Sequence, residues 1–426
     1  MRIRDKIKPR KHSELIVIGG GAAGLAAAIA AGRAGIRCVI LERLDRVGRK
    51  ILATGNGRCN LTNLNADQRD YHGTDPAFAK SVLDQFGVKD TLSFFNGLGL
   101  LWKTEEDGRV FPVTDQASAV LDLLRYELKR VQAEENCGSE AVSIEKTGTE
   151  FRISLINSHV YFADRIILAA GGRAVPSLGS NGSGFYLAQM LGHTLVEPMP
   201  AIVQIRLKGA FLKRLKGVKF HGSLSLHCGD DVFGRESGEI LFTDYGLSGP
   251  PALRLSRKVN EQLQMGKKIT IRLDLFPEKL PPEFLVMLDE RIKMLYYKDV
   301  ADSLVGMIHK RLIPVLLENA MIDRDKSCRN LSRQEIERLA VSLKSWNVDV
   351  YGTRSWLDAQ VSTGGVSADE INPATLESKR IPGLFFAGEI IDIDGDSGGY
   401  NLQWAWSSGH VAGTHAAKNA VDINTI

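Results

Sequence analysis

The sequence predicts an α/β fold: a Rossmann-like parallel sheet, interrupted by an inserted β-rich domain and a small helical subdomain. Three observations predict it. An apolar run meets a glycine turn and a small-residue helix at residues 15–42. A second strand, glycine pair and helix close the chain after residue 380. Between them, from about Pro198, apolar residues change from unbroken runs to alternation, the period of half-buried antiparallel strands.

The first element reads "LIVIGGGAAGLAAAIAAGRAGIRCVILE". Its apolar opening suits a strand buried on both faces. Gly19, Gly21 and Gly24 then fall in the spacing GxGxxG, with a helix opening at about Ala22. In that motif the first glycine allows the tight turn, the second lets a pyrophosphate approach the backbone, and the third brings helix and strand close. The next strand, "CVILE", ends on Glu42 about 20 residues later, where a carboxylate grips ribose hydroxyls. A dinucleotide site is expected here, with Gly19, Gly21, Ala23, Gly24, Glu42 and Arg43 as its contacts.

The second element, "GRKILATGNGRCNLTN" at residues 48–63, fits no ordinary secondary structure. A nicotinamide dehydrogenase continues with further parallel strands at short intervals. This chain inserts a polar, glycine-rich cover instead, which favours FAD as the bound dinucleotide.

A third element, "DRIILAAGGRAVPSLGSNGSGFYLAQMLGH", carries a strand at 165–168 and a turn containing Gly171. Two-dinucleotide-binding-fold flavoproteins return the chain past the cofactor at such a turn. "GSNGSG" is not a second fingerprint, because no buried strand precedes it and no acid follows a later strand.

The middle of the chain carries "IVQIRL", "SLSLH" and "KITIRLDL", then prolines at 277, 281 and 282. Residues 283–346 read as helical, with Phe284, Leu288, Ile292 and Leu295 on one face and Ser332-x-x-Glu335 as a capping box. The expected division is an FAD-binding domain of residues 1–196 and 355–426, a β-rich insert of 197–278 and 347–354, and a helical subdomain of 279–346.

The last element, "RIPGLFFAGEIIDIDGDSGGYNLQWAWSSGHVAGTHAA", has a buried strand closing on Gly388 and Glu389. Glu389 stands where a ribityl hydroxyl can be bound. Gly398-Gly399 precede a helix starting near Asn401 and Leu402, whose free N–H groups and dipole suit the N1–O2 edge of a reduced, anionic flavin.

Taken together, "GGGAAGLAAA", "GRKILATGNGRCNLTN", "FTDYGLSGP", "STGGVS" and "GLFFAGEIIDIDGDSGGYNLQWAWSSG" resemble the BaiN/YhiN-type family of bacterial NAD(P)/FAD-dependent oxidoreductases, which includes aminoacetone oxidase-like flavoproteins. The resemblance spans nearly the whole chain. It implies that the second element wraps FAD, with Arg49 and Lys50 toward the pyrophosphate and Asn56, Gly57, Cys59 and Asn60 against the ring. Asp244 stands where some members carry His, so no general-acid role is carried over to it.

Composition excludes other classes. Of 426 residues, 44% are hydrophobic and 24% charged. The net charge of +4 is concentrated in "MRIRDKIKPRKH", leaving the rest near neutral, so the electrostatic footprint of a nucleic-acid binder is missing. Five scattered cysteines without CxxC read as reduced thiols of a cytoplasmic protein. No membrane span or targeting segment is expected. His221 and His227 lack a third ligand type, and no metal site is expected. Cys59 has no partner thiol for disulfide chemistry. Tyr245 and Tyr400, flanked by glycines, are the candidate proton donors; no other residue is singled out for catalysis.

The expected activity is that of an FAD-dependent oxidoreductase. In the first reading NAD(P)H, a transient co-substrate, reduces the flavin, and hydride passes through N5 to an unsaturated small organic substrate. A flavin oxidase of a small amine, with oxygen as acceptor, is the alternative. A flavin-dependent RNA-modification protein using the basic tail is the third reading.

Overall fold

The structure, a computed structural model, describes residues 11–421. The basic tail falls almost wholly outside them. The chain forms two compact units, Met1–Met199 with Val361–Ile426, and Pro200–Gln360.

The first unit is built on a mixed sheet. Strand β1 (Lys11–Ile18) leads through the glycine turn into helix α1 (Ala22–Arg33) and strand β2 (Cys38–Glu42), followed by the short helix α2 (Arg49–Ala53). Strands β3 (Glu134–Cys137), β4 (Ala141–Thr147), β5 (Glu150–Leu155) and β6 (Val160–Leu168) come next, and β7 (Leu384–Phe386) returns from the far end of the chain. The order is β3-β2-β1-β6-β5-β4, with β7 also on β6. Strands β3, β2, β1, β6 and β7 are parallel, whereas β5 and β4 are antiparallel additions. β6 is longer than its apolar end predicts. Its first residues alternate and pair with β5, while the buried run Arg165–Leu168 lies between β1 and β7.

Helix α1 is nearly all small residues because another helix lies close on it. In α3 (Tyr400–Val421), Gly409 and Gly413 sit where a Cβ would overlap the carbonyls of Ala23 and Ala27. Glycine on one helix and alanine on the other, each at i and i+4, let the backbones touch. Trp404 and Trp406 fill the core beneath α3, each 1% exposed.

The second unit is a closed six-stranded barrel with helices. Its strand order is Ile205–Leu207, Gly246–Ser248, Asp231–Phe242, Lys219–Cys228, Thr270–Asp274 and Trp346–Thr353. The alternation in the sequence is accounted for by these strands, with one exception. Pro250–Gln264 is a helix. Its buried Ala252, Leu255 and Val259 follow helical spacing, and proline at its start suits a first turn. The helices Pro281–Met294, Leu312–Ala320 and Arg333–Lys344 share one hydrophobic core with the barrel, Phe284 and Leu288 joining Phe242, Leu273 and Trp346. Ser332 Oγ accepts the Glu335 N–H while Glu335 accepts the Ser332 N–H, closing the capping box.

Candidate functional site

The three glycines of the first motif have different surroundings. Gly19 has φ +105°, and a Cβ there would strike the Ala169 carbonyl. A Cβ on Gly24 would overlap the Gly19 carbonyl oxygen, so this glycine sets the distance between helix and turn. Gly21 is different. Its φ is −79°, and an added Cβ would meet nothing within 4 Å. The turn is therefore packed on one side and open at Gly21. Glu42 is buried at the end of β2, accepting the Gly20 N–H at 2.7 Å and the Leu44 N–H at 2.8 Å. Neighbouring Arg43 reaches Glu140 instead, at 3.3 Å.

The second motif is attached directly to the first. Gly48 N donates to Gly20 O at 2.8 Å, and α2 starts there. After α2 the chain turns left-handed at Gly55 (φ +56°), Asn56 (+55°), Gly57 (+84°) and Cys59 (+61°). Such a run is unfavourable for ordinary residues, and strain of this kind gathers at functional sites. The loop is pinned to α3 and to the glycine turn before it. Thr62 Oγ1 donates to Gln403 Oε1 at 2.6 Å, Trp406 Nε1 to Leu61 O at 3.0 Å, and Asn63 Nδ2 to Gly398 O at 3.0 Å. A Cβ on Gly399 would fall 2.6 Å from the Thr62 carbonyl and 3.0 Å from Asn60 Oδ1. That Asn60 oxygen is buried with no hydrogen-bond partner.

The closing motif returns to both. Gly388 has φ +81°, and a Cβ there would crowd the Ala23 side chain. Its N–H donates to Ser408 Oγ at 2.9 Å and its carbonyl accepts from Trp404 Nε1 at 3.1 Å, both from α3. Glu389 Oε2 accepts from Lys50 Nζ at 2.7 Å, and Oε1 accepts the Ser362 N–H at 2.7 Å. The Asn401 side chain is spent on its own loop, donating to the Gly395 and Asp396 carbonyls and accepting the Gly395 N–H. What Asn401 and Leu402 offer is therefore backbone, at the first turn of α3. Leu402 packs its side chain against the core.

The structure thus brings Gly19, Gly21, Ala23, Gly24, Lys50, Asn60, Gly388, Glu389 and the start of α3 into one connected cluster, with Asn56, Gly57 and Cys59 on the loop tied to it. Gly171 (φ +71°) lies against Ser180 in the turn after β6. Arg49 is directed to Asp45 at 3.4 Å. Tyr400 opens α3, its carbonyl accepting from Tyr71 Oη at 3.1 Å. Tyr245 belongs to the second unit, where the Arg354 guanidinium stands 4.6 Å from its ring. Sequence reading missed Ser362 as a member of the cluster. It lies within "STGGVS", a motif that carries the family resemblance but none of whose residues is assigned a role from sequence.

Cys59 is fully buried, and desolvation pushes its thiol up to about 12 despite a hydrogen bond to Thr54 that works the other way. A thiol in that state is neither nucleophile nor redox partner at neutral pH. Native protein treated with iodoacetamide at pH 8 is expected to remain unmodified at Cys59, as read by peptide mass spectrometry, and to react there only after denaturation. Rapid native labelling would show the thiol to be exposed and reactive.

Residues 13–415 match the family model described as HI0933-like protein Rossmann domain. The chain belongs to this family. Among curated relatives it is similar to 3-dehydro-bile acid delta(4,6)-reductase of Clostridium scindens, 40% identical over 94% of this chain and 98% of that one. It is also similar to the ribosomal RNA dihydrouridine synthase of Escherichia coli, 33% identical over 93% and 96%. Among solved structures, 3-ketosteroid delta1-dehydrogenase from Sterolibacterium denitrificans aligns at TM-score 0.49 and 11% identity, over 96% of this chain and all of that one. This member of the HI0933-like family has no helix among its described residues long and apolar enough to cross a membrane.

Proposed function

We propose that this HI0933-like protein is an FAD-dependent oxidoreductase that saturates a carbon–carbon double bond conjugated to a carbonyl in a small organic molecule, with NAD(P)H as the transient electron donor. One observation carries the cofactor assignment. The open face of Gly21, the left-handed loop at 55–59 and the first turn of α3 belong to one hydrogen-bonded cluster.

The residues fit FAD on two counts. A dinucleotide pyrophosphate needs bare backbone at the second glycine, and at Gly21 a Cβ would meet no protein atom. A buried acceptor without a partner is rare in folded proteins, and Asn60 Oδ1 is one, beside Gly399. A ligand N–H, which the flavin ring possesses, is what it lacks. When bound, FAD supplies a two-electron carrier that takes up and releases hydride. The chain does the rest. Glu42 would hold the ribose, the Gly21 backbone would receive the pyrophosphate, Glu389 would hold the ribityl chain, and the N–H groups of the α3 first turn would stabilise negative charge on a reduced flavin. Tyr400, which opens α3, is the candidate donor of the proton that a saturated product needs.

The substrate class is drawn from chemistry shared by the two named relatives. A delta(4,6)-reductase of a 3-dehydro bile acid and a dihydrouridine synthase both add hydrogen across a double bond near a carbonyl. This supports the reductase over the amine oxidase. The dihydrouridine synthase name also keeps a second reading, uridine in ribosomal RNA as the acceptor.

The purified protein is expected to be yellow and to release intact FAD on denaturation, and Glu42→Ala should weaken retention by about 1–3 kcal/mol. Under anaerobic stopped-flow mixing, NADH or NADPH should bleach the flavin, and a 3-keto-Δ4 steroid should restore its colour with loss of the enone absorbance. Restoration by ribosomal RNA alone, with dihydrouridine formed, would select the second reading. Bleaching by a small amine but by neither nicotinamide, with peroxide formed in air, would replace the reductase with an oxidase.

A further inference from the structure

Three separate stretches of chain converge on the Glu389 carboxylate. From α2 comes Lys50 Nζ, 2.7 Å from Oε2. From the strand Val361–Val366 comes the Ser362 N–H, 2.7 Å from Oε1. Ser362 Oγ in turn accepts the Arg173 N–H at 2.7 Å, which fastens the turn after β6 to the same point. Gly172 in that turn has no side chain to interfere. A Cβ there would fall 2.8 Å from Glu389 Oε1 and closer still to Ser362 Oγ. Glu389 itself stands on the single turn Gly388–Ile390 after β7.

The ion pair is substantially withdrawn from solvent, with side-chain exposures of 23% for Lys50 and 19% for Glu389. In such a setting each charge depends on the other, because removing one partner leaves the second poorly solvated. If the Lys50 ammonium moved to a phosphate, Glu389 would lose the cation bound to its Oε2 and keep the Ser362 amide on its Oε1. The 2.7 Å spacing is that of a charge-assisted hydrogen bond, the stronger kind. Each carboxylate oxygen accepts one such bond and retains further acceptor capacity. The carboxylate is thus fixed and still able to accept from hydroxyl groups.

We infer that Lys50 is a positioning residue: with the Ser362 amide it fixes the Glu389 carboxylate as a two-point acceptor for hydroxyls of the cofactor's ribityl chain, and it does not itself grip the pyrophosphate. This departs from the pyrophosphate role that the family resemblance implies for Lys50, and it rests on the FAD assignment above. It also gives Ser362 and Gly172 a function, since both shape the ground on which Glu389 stands.

A double-mutant cycle on FAD affinity tests it, measured by flavin fluorescence on full-length apoprotein reconstituted with FAD. Lys50→Met and Glu389→Ala are each expected to raise Kd roughly 10- to 100-fold. The double variant should be no weaker than Glu389→Ala alone by more than about threefold, because coupled groups are non-additive. Lys50→Arg should recover part of the affinity, and Gly172→Ala should lose affinity by pressing its methyl group on Ser362 and Glu389 although it removes neither charge. Melting of each apoprotein reports folding separately; if Lys50→Met does not fold, Lys50→Arg takes its place in the cycle. Effects that multiply in the double variant would give Lys50 an independent contact and overturn the inference, as would Lys50→Met binding FAD as tightly as the parent. Wild-type protein that cannot be reconstituted with FAD would overturn the cofactor assignment itself, a result distinguishable from either.

Discussion

Gly24→Ala is expected to destabilise the first unit and abolish FAD retention, whereas Gly21→Ala should leave the apoprotein's melting unchanged and weaken only FAD binding. The two residues are three apart in one motif, and propensity alone predicts the opposite for Gly24. Inside a helix, alanine is favoured over glycine by roughly 1 kcal/mol. Here the new Cβ would overlap the Gly19 carbonyl oxygen. Gly19 cannot yield readily, being held at φ +105° against the Ala169 carbonyl. Overpacking of this kind costs about 1–3 kcal/mol or more, a large share of the roughly 5–15 kcal/mol that keeps a protein folded. Gly21 has an ordinary φ of −79° and open space before it, so alanine is tolerated by the fold. Its methyl group would stand where a pyrophosphate approaches, costing on the order of 1–3 kcal/mol of FAD affinity. Thermal melting of the apoproteins and fluorescence titration with FAD separate the two effects. A Gly21→Ala protein that binds FAD like the parent would remove the pyrophosphate from this turn.

The second large effect is on acid stability. His410 on α3 lies stacked on Phe86, ring centroids 4.1 Å apart, and burial pushes its imidazole down to about 4, with the Arg33 guanidinium adding to the shift and Asp90 opposing it. In the unfolded chain the same group titrates near 6.5. Above about pH 6.5 both states are neutral and the stability is fully present. As pH falls from 6.5 toward 4 the unfolded chain binds the proton first, so stability declines, by on the order of 3 kcal/mol in total. Glu127 adds a lower limb. Hydrogen bonds from Arg130 and then Arg33 hold it at about 2, so its contribution is present above its unfolded pKa near 4.5 and lost as pH falls toward 2. His410→Phe keeps the ring contact and removes the proton. Its melting temperature should fall less than the parent's between pH 6.5 and 4, with a residual slope from His193 and His415, both also lowered by burial. Parallel curves for parent and variant would show that His410 is not the group responsible.

Much of the first unit is legible in the sequence for local reasons. The run at 15–18, the spacing of Gly19, Gly21 and Gly24, and the acid at the end of β2 are short-range signals, since each concerns neighbours along one strand–turn–helix unit. The left-handed loop is legible in outline for the same reason: "TGNGRC" concentrates the residues that tolerate positive φ, although Cys59 joins them against its own preference. The helix Pro250–Gln264 was less visible, because the alternation of flanking strands masked a helical period between them.

What the sequence by itself determined is the kind of turn, the kind of loop and the chemistry each can hold, since these depend on residue type and spacing along the chain. Only the tertiary structure decided which charges meet. Lys50 and Glu389 are 339 residues apart and Thr62 and Gln403 are 341 apart, and no periodicity links such partners. Lys50 reads as a phosphate ligand in its own segment and becomes the counter-charge of a carboxylate once β7 folds back beside β6. The physical reason is that a pattern along the chain specifies local conformation, while the pairing of buried charges depends on which segments the sheet order brings together, and on the cost of leaving either charge alone.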